Sequence, residues 1–138
     1  MKITGWVWLR KNGVLIRHGK NLVVATGEAF CANRVGSSDT AMSHMAIGNN
    51  GVASSTGMSA LQGTEIERRA LSGVVVSMNV VTWSATFGAT ISVPATVREV
   101  GVFNAAAGGT MLSRFICAGF TLSPGESLAV DWALAFGD

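Results

Sequence analysis

The segment that most constrains the fold is residues 128–136, Leu-Ala-Val-Asp-Trp-Ala-Leu-Ala-Phe. Leu128, Val130, Trp132, Leu134 and Phe136 fall on one face, and Ala129, Asp131, Ala133 and Ala135 fall on the other. Side chains of an extended strand alternate between two faces, so this spacing marks a half-buried strand. A helix would scatter the same residues around its circumference.

Much of the chain repeats that period. Residues 3–10 place Trp6 and Trp8 on one face and Val7 and Leu9 on the other. Asn12-Gly13 separates them from a second apolar run at 14–18, and both residues tolerate positive φ, so the spacing predicts a β-hairpin. Residues 43–48 read as a short strand with Met45 and Ile47 opposite His44 and Ala46. The alternation of 74–80 changes phase at Val80-Val81, which predicts a bulge or bend. Residues 96–117 read as two strands joined by a small-residue turn, with Val100, Val102, Leu112 and Phe115 inward and Glu99 able to pair with Arg114 across the ladder. Pro124-Gly125 suits a type II turn before the final strand. Only 25–35 suits a helix, with Thr26 as N-cap, Glu28 in the first turn, and residues 36–39 as its end. The expected fold is mainly β: an antiparallel β-sandwich, or jelly-roll-like barrel, with one short helix near 25–35. At 138 residues it forms a single domain, 1–138, whose basic N-terminal hairpin (1–20) could serve as an assembly arm.

Composition narrows the function. The chain is 49% hydrophobic but only 13% charged, too few charges to coat a free monomer generously, so neighbouring subunits are expected to cover part of the surface. No apolar run approaches the roughly 18 residues of a membrane helix, and the start does not read as a signal peptide; the expectation is a soluble chain without a membrane partner. The net charge is +2, yet residues 1–27 carry Lys2, Arg10, Lys11, Arg17 and Lys20 and no acid. Such a segment could meet nucleic acid or an acidic protein face, or simply form a solvated hairpin rim; without clustered aromatics or an Arg-rich run it is weak evidence for nucleic-acid binding. Cys31 and Cys117 lack metal or redox spacing and are expected to be free and half-buried.

No catalytic constellation is legible. His18 and His44 stand alone in strands, and no nucleophile elbow is present. Gly48-Asn49-Asn50-Gly51 lacks the Lys and Ser/Thr of a phosphate loop and reads as a turn. Asp39, Asn49, Asn50 and Asp138 do not have calcium-loop spacing. No enzyme activity, metal or cofactor is expected. Residues 49–64, rich in Gly, Ser and Asn, are long for a loop, hence mobile or ordered by a partner, with Met58 and Leu61 able to tack them down. The run Glu65, Glu67, Arg68, Arg69 suits one helical turn with Glu65–Arg69 paired, or the start of a strand; it serves as a solvated face or an intersubunit ion network. Strand tryptophans ordinarily pack in the core, but Trp6 and Trp8 share a face with basic residues, where exposure would suit a protein interface or, less readily, a stacked base or sugar. The candidate contact residues are Arg10, Lys11, Arg17, Lys20, Glu65, Glu67, Arg68 and Arg69.

Several segments belong together: residues 21–27 (Asn-Leu-Val-Val-Ala-Thr-Gly), 45–48 (Met-Ala-Ile-Gly) with the loop to Leu61, then Glu65 and Arg68. Residues 98–104 (Arg-Glu-Val-Gly-Val-Phe-Asn), 108–114 (Gly-Gly-Thr-Met-Leu-Ser-Arg) and 130–132 (Val-Asp-Trp) complete the set. Together they resemble a family of small bacteriophage virion structural proteins. The likeness spans most of 21–136 and is weakest over the basic hairpin. It implies a virion component that self-associates and does not decide which part of the virion; the leading expectation is a homotrimer assembled in the host bacterial cytoplasm. Its location would be the capsid surface, as a decoration (cement) protein bound to the major capsid protein. The alternative is a tail, baseplate or fibre-attachment part bound to other tail proteins.

Overall fold

The computed structural model describes residues 2–36 and 40–137. Nine strands, β1 (Ile3–Lys11), β2 (Val14–Val23), β3 (His44–Gly48), β4 (Glu65–Ala70), β5 (Gly73–Ser77), β6 (Val80–Phe87), β7 (Ala95–Phe103), β8 (Met111–Leu122) and β9 (Leu128–Phe136), accompany one helix, α1 (Ala25–Gly36). Every strand pairing is antiparallel, in the order β4-β3-β7-β8-β2-β1-β9-β6-β5. The sheet curls into a half-barrel, so the mainly β, sandwich- or barrel-like expectation holds.

The final strand carries the core as its alternation requires. Leu128, Val130, Trp132 and Leu134 are buried on the concave face, and Trp132 lies opposite buried Trp83 of β6. On β1, Val7 and Leu9 point inward and Trp6 and Trp8 outward. Asn12 and Gly13 both adopt positive φ (50° and 83°), which matches the twist of the hairpin. The hairpin is not a projecting arm: β1 also pairs with β9, and β2 with β8, placing it mid-sheet. Pro124-Gly125 forms the expected turn, with Gly125 at φ 85° and Glu126 N–H donating to the Ser123 carbonyl.

Two local expectations are corrected. Thr26 is not the N-cap: the first helical bond runs from Glu28 N–H to the Val24 carbonyl, and Thr26 Oγ1 instead donates to the Met111 carbonyl at 3.0 Å. Tertiary contact with β8 decides the helix start. A Cβ at Gly27 would lie 2.0 Å from the Leu112 carbonyl oxygen, so only glycine lets the helix backbone sit this close to the strand. Of the expected helix end at 36–39, Gly36 is the last residue of α1 and 37–39 lie outside the described residues. The phase change near Val80 is a turn, not a bulge: Met78 (φ 53°) and Asn79 reverse the chain between β5 and β6. A two-residue hairpin loop and a bulge both shift the alternation, and these residues carry no turn-forming glycine to tell them apart. α1, the single helix among the described residues, is too short to cross a membrane.

Candidate functional site

The basic hairpin divides its charges between the two faces of the sheet. A register shift between Leu9 and Arg10 sets Arg17 opposite Leu9, on the concave side. There β2 and β8 pair only at Leu22–Arg114 and Val23–Ser113 and then splay apart. Arg17 bridges the gap, donating to the carbonyls of Ala118 (3.0 Å) and Gly119 (3.3 Å) with its guanidinium over the Phe120 ring. Lys11 continues the closure by donating to the Thr121 carbonyl and pairing with Glu126 at 3.0 Å. Arg17 and Lys11 thus supply the hydrogen bonds that the splayed ladder lacks.

The convex face carries the rest. His18 is stacked between Trp6 and Trp8, with ring centroids 5.4 and 5.0 Å away, and Lys20 Nζ lies 5.2 Å from the Trp6 ring. His18 Nδ1 lies 3.0 Å from the Val7 carbonyl, which fixes the ring as donor on that nitrogen. Trp6 is 39% exposed. Arg10 extends the row by pairing with Asp131 at 3.0 Å, and Asp131 also accepts from Ser84 Oγ at 2.7 Å. The face is therefore aromatic and carries Lys20 and the Arg10–Asp131 pair, on paired strands with the ring orientations held by stacking. Such a surface loses little entropy when it docks, and its Trp and Arg types are those that anchor interfaces.

The expected Glu99–Arg114 pair exists, at 3.3 Å and with both side chains wholly buried. It faces away from the main core and organises residues 49–64. Glu99 accepts from the backbone N–H of Asn50 (2.8 Å), Gln62 (2.7 Å) and Gly63 (3.0 Å). Arg114 donates to the carbonyls of Asn50 (2.9 Å) and Val52 (2.7 Å) and to Ser54 Oγ (3.0 Å). Met58 and Leu61 pack against buried Val24, Ala46, Phe103 and Met111. The loop is thus held by contacts within its own chain. Five of its backbone polar groups are met by one buried acid and one buried base.

The charge run 65–69 is strand, not helix, and its members act separately. Arg68 pairs with Glu65 rather than Arg69 doing so, covers the Phe103 ring and donates to the carbonyls of Ala105 and Gly108 (both 2.9 Å). Glu67 is buried and accepts from Gly88 N–H (3.0 Å), Thr90 N–H (3.1 Å) and Thr90 Oγ1 (2.6 Å), fastening the turn between β6 and β7. Arg69 and Glu126 line one groove of about 460 Å³ beside Gly88 and Ile91, which brings the run close to the tip of the basic hairpin.

A second, apolar opening of about 480 Å³ lies between α1 and the concave face, lined by Ile3, Phe30, Cys31, Val81, Trp83 and Phe136 among others. Cys31 and Cys117 are free and half-buried. Burial raises both thiols, Cys31 with help from Glu28, and Cys117 to about 11 against a small opposing effect of Arg17. Among the described residues no three His, Cys, Asp or Glu side chains come together to hold a metal ion. Asp39 and Asp138 lie outside the described residues, and Asn49 and Asn50 use their side chains to accept from Thr64 and Val52 N–H.

The aromatic stack could be read only in part from the sequence. Trp6 and Trp8 were legible as one face, but His18 enters between them through cross-strand register. Comparison with known proteins finds no matching family model, no matching curated protein and no matching solved structure.

Proposed function

We propose that this protein is a structural component of a bacteriophage virion, and most concretely a capsid decoration (cement) protein. It docks on the shell through the convex face bearing Trp6, Trp8, His18, Lys20 and Arg10. The observation that carries the reading is the Lys20–Trp6–His18–Trp8 stack: a stacked aromatic surface with a lysine over it suits a broad acidic protein face. The family resemblance supplies the virion setting. Of the candidate contacts, Lys20 and Arg10 lie on this face, Arg10 paired there with Asp131, whereas Lys11, Arg17, Glu67 and Arg68 are engaged elsewhere within the chain. Each copy would add modest area, and many copies on a lattice would sum their effects.

The test is to incubate the protein with expanded shells that lack it. The expected result is saturable binding and higher shell heat resistance, both lost in Trp6→Ala/Lys20→Glu protein that still folds. Binding unchanged in that variant would remove the convex face from the proposal, and no binding by the parent would remove the decoration role. A tail, baseplate or fibre-attachment role is the second reading. Gel densitometry of virions separates the two, since a decoration protein is present in far more copies.

A further inference from the structure

We propose that β5 is a self-pairing edge through which two copies of this chain join about a two-fold axis. The two edges of the sheet differ sharply. β4 carries Glu65, Glu67, Arg68 and Arg69, the charges that commonly blunt an edge. β5 carries Gly-Val-Val-Val-Ser, and residues 70–80 hold no charge at all. Val74, Val75 and Val76 are 52%, 64% and 71% exposed, and Met78 at the adjoining turn is 97% exposed.

The ladder fixes which backbone groups are free. The two-residue turn makes Ser77–Val80 a hydrogen-bonded pair, and alternation then directs the N–H and C=O of Val75 to β6 and those of Val74 and Val76 outward. An antiparallel second copy centred on Val75 sets Val74 opposite the partner's Val76, and Val76 opposite the partner's Val74. Four backbone hydrogen bonds form, and the two Val75 side chains meet at the axis as a close, non-hydrogen-bonded pair.

The occupant is a second copy because the segment is complementary to itself. Gly-Val-Val-Val-Ser reads nearly the same in both directions, so the two-fold pairing matches valine with valine, and the uncharged edge has nothing to repel its copy. The concave side points the same way. Val74 lies opposite Trp83, which lines the apolar opening beside α1, so the partner's valines continue an apolar row that now ends in solvent. Five paired residues bury less than the roughly 800 Å² per partner of a standard stable complex, so the dimer depends on concentration, with a midpoint of about 10–500 µM.

This inference does not rest on the virion reading, because the edge pairs in isolated protein. Sedimentation equilibrium of the full chain is expected to show a monomer–dimer equilibrium. Val75→Lys, an exposed change that sets two cations together at the axis, weakens it at least tenfold while circular dichroism stays unchanged. Val75→Cys is expected to form a disulfide dimer on mild oxidation, because the axis brings the two residues within bonding range. Thr82→Cys, on the same face one strand inward, should not, since the two copies of residue 82 stand about 14 Å apart. A parent monomeric to about 1 mM, a trimer as the smallest assembly, or equal cross-linking at 75 and 82 overturns the proposal.

Discussion

Replacing Arg114 with methionine tests how residues 49–64 are held. The change keeps the stem of the side chain and removes the guanidinium, leaving Glu99 buried without its countercharge and the carbonyls of Asn50 and Val52 without a donor. Deleting one partner of a buried pair costs about 3–5 kcal/mol, and each orphaned carbonyl would add about 1–3 kcal/mol if it stayed buried. The loop has a cheaper route. It can detach, rehydrating Glu99 and the carbonyls while exposing Met58, Leu61 and the small cluster beneath them. Losing that packing costs about 1–2 kcal/mol per half-buried side chain, so detachment limits the total to about 3–5 kcal/mol. The assay is urea unfolding at neutral pH together with limited chymotrypsin digestion, which cuts after Met58 or Leu61 only when the loop is free. The expected result is a lower midpoint and early cleavage in the loop. Glu99→Gln should release the same loop, so Arg114→Met/Glu99→Gln should lose clearly less than the sum of its parts. A loss under about 1 kcal/mol with the loop still protected, or additivity within about 0.5 kcal/mol, would refute the reasoning.

Gly27→Ala should destabilise by about 1–3 kcal/mol in thermal melts, because the new Cβ meets the Leu112 backbone; Gly36→Ala, with open space around it, should be neutral or better. Glu126 is held below the ordinary carboxylate range, first by Ser123 N–H and then by Lys11. Its contribution is therefore present above the unfolded glutamate value and lost as pH falls through the lowered folded value. In Lys11→Met its carboxyl titration, followed by NMR, should move up but stay below the ordinary range; no movement would mean the pair is not formed in solution. Cys117, raised to about 11, should react with a thiol reagent at pH 8 roughly 100-fold or more slower than a free cysteine, with normal rates restored in urea.

Strand content was legible because burial on one face writes itself into alternation. The 128–136 strand, the Asn12-Gly13 hairpin and the Met45/Ile47 face are local patterns, and the structure keeps all of them. The Glu99–Arg114 pair was also in reach, since two strands joined by a short turn limit the register. Its purpose was not. The acceptors and donors it satisfies come from residues 50–63, far along the chain, and their composition alone reads as a loop that is mobile or ordered by a partner. The 65–69 run failed in the same way: as a cluster of charges it looks like one surface, yet Glu67 turns inward to hold a distant turn while Arg68 lies on Phe103.

The amino-acid order by itself determined which segments are strands and which of their faces is heavy, because both follow from side-chain spacing along one backbone. Only the tertiary structure decided the sheet order, the splay of β2 from β8 that draws Arg17 and Lys11 inward, and the entry of His18 between two tryptophans. It also left β5 as an uncharged edge. Those features depend on which strands meet and in what register, and pairing across long sequence separations is settled by the packing of the whole core rather than by any local pattern.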